Sequence, residues 1–327
     1  MGRDRTALAE LAGELAVALR GEVLPLIGSH EGRRHVGEAG ASGSGDVTFE
    51  IDARAESLLE RFLAQHAPDV AFYSEDRGMV ADGSDPEWVL IVDPIDGTRP
   101  AMAGLESACV SIAAARLEGE PTMVDVEVAW VVEIKSGAAF RAERGSGLDP
   151  RATLSGNRDL GRMFWTYGLR GRPVRPMAEV LADLIDAASV GGAAFELGSA
   201  SYDMTRIATG QLDAYVEPGP RLVADVAGMR AEFERVGGGA ILNNSPYDLA
   251  AAALCLEEAG ALVTDAYGKP IGNRRLLGSS PEYQISCIAA ANQDLHRQIC
   301  MALDAGMDRL ARLADQMIDP PEHGALG

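Results

Sequence analysis

Two aspartates, three residues apart, are the first candidates for chemistry in this sequence. They lie in VDPIDGT (92–98), directly after the apolar run WVLIV, which predicts a buried strand. Pro94 biases Asp93 towards an extended backbone, so we expect the strand to end there and the chain to turn. Gly97 permits a tight turn, and Thr98 is a candidate N-cap for a short helix. Backbone N–H groups in such a turn suit a phosphate oxygen.

The carboxylates of Asp93 and Asp96 would repel a phosphate unless cations lie between them. Mg²⁺ prefers the oxygens of carboxylates and phosphates, so the same residues become a phosphate site when the ion is bound. The chain carries a formal charge of −20. A small anionic substrate therefore needs positive charge supplied at its site, and metal ions are the obvious source.

Composition excludes several classes of protein. The chain is 47% hydrophobic and 24% charged, as in ordinary globular proteins, and its pI of about 4.6 disfavours a nucleic-acid partner. We see no apolar stretch of about 18 residues, and the N-terminus has an amphipathic pattern, so we expect no export and no membrane partner. The cysteines are scattered without a C-x-x-C pair, which favours buried thiols in a reducing compartment. These features predict a cytoplasmic protein.

The hydrophobic pattern predicts two halves that form one compact unit. Residues 1–150 form an α+β half that carries the DPIDGT turn, and residues 151–327 form an α/β half that carries the substrate rim and Asp248. Successive antiparallel strands are expected in the first half. The tail, residues 286–313, has the pattern of one long closing helix.

Asp225 and Asp248 compete for a role at the site, because each begins a segment of small apolar residues that ends in glycine. A helix that carries a metal ligand must pack beneath the site. LAAAALCLEEAG (249–260) is apolar enough to be buried, whereas MRAEFERVGGG (229–239) alternates charge as a solvent-facing helix does. The sequence therefore favours Asp248.

These motifs, in this order, resemble those of the inositol monophosphatase family of Mg²⁺-dependent, lithium-sensitive phosphatases. The resemblance runs through roughly residues 40–290, and GASGSGDVTFEID (40–52) is most similar to the branch of archaeal-type fructose-1,6-bisphosphatases and inositol monophosphatases. It implies a layered αβαβα sugar-phosphatase fold and a homodimer. Its motifs are DVTFEID (46–52), SED (74–76), DPIDGT (93–98), GSASYD to LDAYVE (198–217) and YDLAAAALCLEEAGA (247–261).

The resemblance also implies a site for two or three Mg²⁺ ions. Glu75, Asp93 and the backbone carbonyl of Ile95 would hold the first ion. Asp93, Asp96 and Asp248 would hold the second, and a third, weaker ion would bind near Glu75.

Catalysis in this scheme needs a water molecule that is activated and oriented. One ion would lower the pKa of the water, another would stabilise the leaving oxygen, and Thr98 with Asp52 would orient the attack. Glu75 would take part through the ions it holds. The product would be an alcohol and phosphate, with no phosphoenzyme.

The substrate side of the site is less determined. Glu217 would contact a substrate hydroxyl by resemblance, or it is a solvated loop acid. Gly198, Ser199 and Ala200 either line the substrate pocket or only begin a helix. About 23 residues are inserted before Asp248, and we expect this segment, 225–246, to reshape the substrate rim. The remaining candidate binding residues are Asp96, Gly97, Thr98, Arg99 and Asp248.

Arginines near the motifs leave alternatives open. Arg99 is a bidentate partner for phosphate or carboxylate, or it pairs with an acid such as Glu75 or Asp76. The run LRGRPVRP (169–176) either recognises a second anionic group or is a solvated loop; its arginines are Arg170, Arg172 and Arg175.

Two classes of function follow. The first is a Mg²⁺-dependent phosphomonoesterase that acts on a small sugar, inositol or nucleoside phosphate, including the related fructose-1,6-bisphosphatase and 3′,5′-bisphosphate nucleotidase activities. The second is a non-catalytic regulatory member of the fold, which would have lost at least one metal ligand. Because every implied ligand is present, the sequence favours the enzyme.

Overall fold

The structure is a computed structural model that describes residues 3–38, 47–82 and 85–318. Residues 40–46, part of the segment that resembles the archaeal branch, lie outside the described residues. The described helices are α1 (Arg5–Val23), α2 (Glu50–His66), α3 (Thr98–Ala103), α4 (Val174–Ala188), α5 (Ala200–Ala208), α6 (Gly219–Asp225), α7 (Met229–Val236), α8 (Pro246–Ala259) and α9 (Gln293–Ile318).

The strands form three sheets in the described part of the chain. The strands are β1 (His35–Glu38), β2 (Val47–Phe49), β3 (Ala71–Ser74), β4 (Gly78–Val80), β5 (Trp88–Asp96), β6 (Cys109–Arg116), β7 (Val126–Glu133), β8 (Ala139–Glu143), β9 (Gly147–Asp149), β10 (Phe164–Tyr167), β11 (Ala193–Phe195), β12 (Ala214–Glu217), β13 (Leu262–Thr264) and β14 (Cys287–Ala290).

The largest sheet has seven strands in the order β4-β3-β5-β6-β7-β8-β9. Its pairs are antiparallel except for β3 and β5, which run parallel. A second sheet has the order β11-β10-β12-β14-β13, and β10 runs parallel to both of its neighbours. Strands β1 and β2 form a separate antiparallel pair. The first half therefore forms the antiparallel strands that its sequence pattern predicts.

Helices cover both faces of the large sheet. On β5, Leu90 and Val92 join a core with α1 and α2, whereas Val89 and Ile91 join a core with α5 and α8. The second sheet closes α5 and α8 from the other side, and its far face packs against α4 and α9. The layers are thus helix, sheet, helix, sheet, helix, which confirms the predicted αβαβα architecture.

The two helices that the sequence compares, α8 and α7, differ in burial. In α8, every residue from Leu249 to Leu256 is buried, whereas in α7 only Met229 and Phe233 are buried. The sequence contrast between a buried and a solvent-facing helix is confirmed. Asp248 lies in the first turn of α8, and Asp225 is the last residue of α6.

Three local predictions are wrong. Strand β5 does not end at Asp93 but continues to Asp96, with a bulge between these residues in its pairing with β6. Such a bulge tolerates Pro94, which has no N–H to donate to the ladder. Thr98 is the first residue of α3 and not its N-cap; Gly97 takes that place with a φ of 94°, in the left-handed region that favours glycine.

The third wrong prediction concerns the tail. Residues 287–290 form strand β14 between β12 and β13, and the closing helix begins only at Gln293. A short run of cysteine, isoleucine and alanine fits a buried strand as well as a helix, so periodicity alone does not separate them. Among the described residues, no helix combines the length and apolar character required to cross a lipid bilayer.

Candidate active site

Three aspartates from two distant parts of the chain meet at one point. Asp93 and Asp96 lie at the end of β5, and Asp248 lies on α8 beneath them. One carboxylate oxygen of each residue lies within 4.8 Å of the oxygens of the other two. Asp93 and Asp96 are buried, so these charges face each other with little water between them.

Hydrogen bonds fix the orientation of each carboxylate. The N–H of Ile95 donates to Asp93 Oδ1 at 2.9 Å. The N–H of Ser201 and the hydroxyl of Ser199 both donate to Asp96 Oδ2, at 2.6 and 2.9 Å.

Asp248 is oriented by the start of its own helix. The N–H of Ser245 donates to Asp248 Oδ2 at 2.6 Å, as the third residue of a capping box does. The ligand candidate is therefore placed by a motif that also begins α8.

Burial and mutual repulsion disturb the titration of the cluster. Burial raises the pKa of Asp93 well above its ordinary value, and the charges of Asp96 and Glu75 raise it further. Burial, followed by the charge of Asp96, raises the pKa of Asp248 to about 8. A divalent cation would relieve this repulsion, and a donor set made only of oxygen suits Mg²⁺. The residues present therefore fit the ion that the sequence predicts.

A small recess of about 20 Å³ adjoins the cluster, and Asp52, Glu75, Asp93 and Thr98 help to line it. That volume is enough for about one water molecule. The Thr98 hydroxyl is 2.9 Å from Asp52 Oδ1 and 3.2 Å from the Ile95 carbonyl oxygen, and its single proton is donated to the nearer acceptor, Asp52. The structure thus brings together the residues to which the resemblance assigns the metal ions and the attacking water.

Glu56 is a buried acid that also lines this recess, and the sequence reasoning missed it. It accepts hydrogen bonds from the Ser74 hydroxyl at 2.8 Å and from the Asp76 N–H at 3.2 Å. These bonds hold the end of β3, from which Glu75 projects. Burial raises the pKa of Glu56 to about 7. Its place one helical turn after Asp52, on the same face of α2, is the signal that identifies it.

The main cavity has a volume of about 380 Å³ and opens beside the three aspartates. Gly97, Thr98, Gly198, Ser199 and Ala200 all line it. Ser199 also caps α5 by accepting a hydrogen bond from the Tyr202 N–H at 3.1 Å, so this segment both lines the cavity and begins a helix.

Glu217 is completely buried, so the alternative of a solvated loop acid is wrong. Its Oε2 lies 2.5 Å from Nη2 of Arg172, and its Oε1 accepts the N–H of Gly219 at 2.7 Å. Burial raises the pKa of Glu217, and the guanidinium of Arg172 opposes that rise. Arg172 and Arg170 line the main cavity, whereas Arg175 is exposed and is not among its lining residues.

Asp225 lies apart from the cluster. It accepts the Tyr267 hydroxyl at 2.8 Å and pairs with Arg221 at 3.4 Å. The segment between it and Asp248 contains α7, and residues 241–245 of that segment line the main cavity.

Arg99 lies beside both the recess and the main cavity. Its guanidinium carbon is 5.8 Å from the centre of the Phe49 ring, which is within the range of a cation–π contact. The aromatic contact was not among the alternatives raised by the sequence.

Comparison with known proteins agrees with this geometry. The sequence profile described as the inositol monophosphatase family matches residues 9–307. The chain is 28% identical over 272 residues to an inositol-1-monophosphatase of Caulobacter vibrioides, with 80% of this chain and 89% of the relative covered. It is 26% identical over 308 residues to a fructose-1,6-bisphosphatase/inositol-1-monophosphatase of Methanothermobacter thermautotrophicus, with 90% and 95% covered.

Among solved structures, the extragenic suppressor protein SuhB of Bartonella henselae has the same fold. The TM-score is 0.67 at 23% identity, and the match covers 92% of this chain and 99% of that one. The profile, which spans most of the chain, carries the assignment. This chain belongs to the inositol monophosphatase family, a family of phosphoric monoester hydrolases.

Proposed function

We propose that the protein is a Mg²⁺-dependent phosphomonoesterase that hydrolyses a small sugar, inositol or nucleoside phosphate. The observation that carries this proposal is the convergence of Asp93, Asp96 and Asp248 within 4.8 Å of one another beside a cavity of about 380 Å³. An all-oxygen cluster of this kind attracts a hard divalent cation and, through it, a phosphate group.

In this proposal Glu75, Asp93 and the Ile95 carbonyl hold one ion, and Asp93, Asp96 and Asp248 hold another. When bound, Mg²⁺ supplies positive charge that lowers the pKa of water and stabilises negative charge on phosphate oxygens. The family assignment and the geometry of the carboxylates support this division.

The chain's own residues orient the water. Because the Thr98 hydroxyl donates its proton towards Asp52, the lone pairs of Thr98 Oγ1 can accept a hydrogen bond from a water in the recess. Asp52 is fixed in turn by the N–H of Phe49, which donates to its Oδ2 at 3.0 Å. In this proposal, a water held in the recess attacks the phosphorus of a substrate in the main cavity.

Hydrolysis forms a bond between the water oxygen and phosphorus and breaks the ester bond to the alcohol oxygen, which leaves with a proton. Gly97, Thr98 and Ser199 are proposed contacts for the phosphate oxygens, since all three line the cavity. Gly198, Ala200 and Arg99 are proposed as further substrate contacts.

Phosphate release tests this function. The substrates are inositol-1-phosphate, fructose-1,6-bisphosphate, histidinol phosphate, adenosine 3′,5′-bisphosphate and nucleoside 5′-monophosphates, each assayed with Mg²⁺ and with a chelator. We expect release with at least one substrate, loss on chelation, and loss in Asp93→Asn. Full activity after chelation, or full activity of Asp93→Asn, would contradict the mechanism. If no substrate releases phosphate, the result favours the non-catalytic alternative.

Finer properties belong to the same proposal. We propose two or three bound Mg²⁺ ions, inhibition by Li⁺, a homodimer and a cytoplasmic location, all supported by family membership. The halves 1–150 and 151–327 would act as one unit, because Asp93 comes from the first and Asp248 from the second. Equilibrium sedimentation and metal analysis of the purified protein check the dimer and the number of ions.

A further inference from the structure

We propose that the substrate carries a second anionic group, a phosphate or a carboxylate, and that Arg172 and Arg170 bind it. This inference rests on the proposed phosphatase function. We call the binding surface the arginine wall; it consists of Tyr167–Arg172 and Ile241–Asn244, whose residues line the main cavity.

The wall presents guanidinium groups to the cavity, because the carboxylate that pairs with Arg172 does not line it. Glu217 is 0% exposed, and both of its oxygens are engaged, one by the Gly219 N–H and the other by Arg172 at 2.5 Å. It is absent from the residues that line the cavity, whereas Arg172 is present among them. A substrate that enters the cavity therefore meets the guanidinium of Arg172 and not the carboxylate of Glu217.

Two glycines make room for this buried ion pair. A Cβ at Gly168 would lie 2.5 Å from Glu217 Oε2 and 3.3 Å from Arg172 Cζ. A Cβ at Gly219 would lie 2.6 Å from Glu217 Oε1. Any side chain at Gly168 or Gly219 would collide with the ion pair. The backbone therefore approaches Glu217 closely on two sides.

The inserted segment holds the guanidinium from the other side. Nη2 of Arg172 lies 3.3 Å from Asn244 Oδ1, and the amide nitrogen of Asn244 lies 2.7 Å from the Tyr215 hydroxyl. Nη1 of Arg172 donates to the Arg170 carbonyl at 2.8 Å. Nε of Arg172 has no hydrogen-bond partner among the described residues, although this side chain is only 6% exposed. Arg172 thus retains a buried donor that protein groups do not satisfy.

The chemistry of arginine selects the ligand. A guanidinium is a planar set of donors that matches the oxygens of phosphate or carboxylate, and its charge stays fixed at all physiological pH values. A neutral polyol would satisfy the geometry of the donors but not the charge. Arg170, which is exposed at the cavity mouth, adds a second positive charge near the same surface. Only the ester bond beside the aspartates is hydrolysed, so the second anion stays on the released alcohol.

Matched substrate pairs test the inference with the full-length protein and Mg²⁺. Fructose-1,6-bisphosphate is compared with fructose 1-phosphate and fructose 6-phosphate, which lack the second phosphate. In the second arm, 2-phosphoglycerate is compared with glycerol 2-phosphate, which lacks the carboxylate. We expect kcat/KM to be at least tenfold higher for the doubly anionic member of one pair, and the pair that responds identifies the anion.

Variants assign the preference to residues. Arg170→Gln should lower the kcat/KM ratio within the responding pair about tenfold, mostly through KM. The double variant Arg172→Gln, Glu217→Gln removes the buried charge without leaving an unpaired carboxylate, and should lower the ratio by about a hundredfold. Arg175→Gln, an exposed arginine outside the cavity, should leave the ratio unchanged.

The outcomes separate the inference from the function on which it rests. Equal kcat/KM within both pairs, or a preference that survives both arginine changes, overturns the inference. If the singly anionic substrates are then still hydrolysed and Asp93→Asn abolishes that hydrolysis, the phosphatase function stands. If no substrate of either pair or of the wider screen releases phosphate, the function itself fails.

Discussion

The cavity has two regions that hold buried carboxylates in opposite ways. At the aspartate cluster, Asp93, Asp96 and Asp248 face one another and accept hydrogen bonds from backbone N–H groups and from the Ser199 hydroxyl. At the arginine wall, Glu217 is matched directly by the guanidinium of Arg172 at 2.5 Å. One region lacks a protein cation among its described hydrogen bonds, and the other contains one.

This difference separates binding of a cation from binding of an anion. Carboxylates that repel each other, with pKa values raised by burial, are stabilised by a cation from solution. A carboxylate that is already paired has no such need, and its arginine partner is what the cavity presents. These contacts support our proposals that metal ions bind at the aspartate cluster and that the arginine wall distinguishes between substrates.

The largest expected effect is on kcat/KM, and it distinguishes Asp248 from Asp225. Asp248→Asn should lower kcat/KM on the order of a thousandfold, because it removes a charged ligand while the amide oxygen can still accept the Ser245 N–H. Asp225→Asn is the matched control, since Asp225 pairs with Arg221 and Tyr267 outside the cavity; its kcat/KM should stay within about twofold. Similar losses in both variants would contradict the choice of Asp248.

The second prediction concerns the arginine wall and is measured by urea unfolding. Arg172→Gln should lower the free energy of unfolding by about 3 to 5 kcal/mol, because it leaves the Glu217 carboxylate buried and unpaired. Adding Glu217→Gln should restore most of this loss, since no charge is then buried. If Arg172→Gln alone is as stable as the unmodified protein, the ion pair between Arg172 and Glu217 is not formed in solution.

The third prediction returns to the recess beside the cluster. Thr98→Ala should lower kcat about a hundredfold with little change in KM, because the water loses its hydrogen-bond acceptor and Asp52 keeps the Phe49 N–H but loses the Thr98 hydroxyl. Thr98→Ser keeps the hydroxyl and should retain most of the activity. A loss below about threefold in the alanine variant would remove Thr98 from the mechanism.

The smallest expected effect concerns the pH dependence of the free energy of unfolding. It comes from Glu56, which, unlike Glu217, has no arginine among its described hydrogen-bond partners. The folded-state pKa of Glu56 is about 7, above the ordinary 4.5 of an unfolded chain. The folded state therefore retains a proton that the unfolded state has lost, and stability falls as pH rises from about 4.5 to about 7 and then levels. In metal-free buffer, Glu56→Gln should lessen this fall by about 2 kcal/mol between pH 5 and 7.

Parallel stability curves for the two proteins over that range would contradict the shifted pKa. Glu60→Gln is a matched control on the same helix, because Glu60 is exposed and pairs at 3.5 Å with the exposed Arg77. Surface pairs contribute little to stability, so this variant should follow the unmodified protein.

Much of the aspartate cluster was predictable from sequence because its residues sit at element ends. Gly97 marks the turn after a buried strand, and the apolar run after Asp248 marks a buried helix. The change from successive strands to alternating helices and strands predicted an α+β half followed by an α/β half, whereas the αβαβα layering was implied by the family resemblance. The metal roles assigned to these residues remain predictions.

The arginine wall was not predictable in the same way. Its central contact joins Arg172 to Glu217, residues 45 positions apart in the printed sequence, and local periodicity carries no information about such a pair. Glu56 was missed because an acid within an amphipathic helix usually faces solvent. Strand β5 continues beyond Pro94 because a bulge in its pairing with β6 tolerates a residue that has no N–H to donate. The sequence of one strand does not show where its pairing with a neighbour is irregular.

A crystal structure of the protein grown with Mn²⁺ tests the central claim most directly, because this ion takes oxygen ligands as Mg²⁺ does and gives an anomalous signal. We predict an anomalous peak within about 2.5 Å of carboxylate oxygens of Asp93, Asp96 and Asp248, and its absence in Asp93→Asn. A map with no peak between these three residues at saturating Mn²⁺, or with a peak that persists unchanged in the variant, would contradict the account.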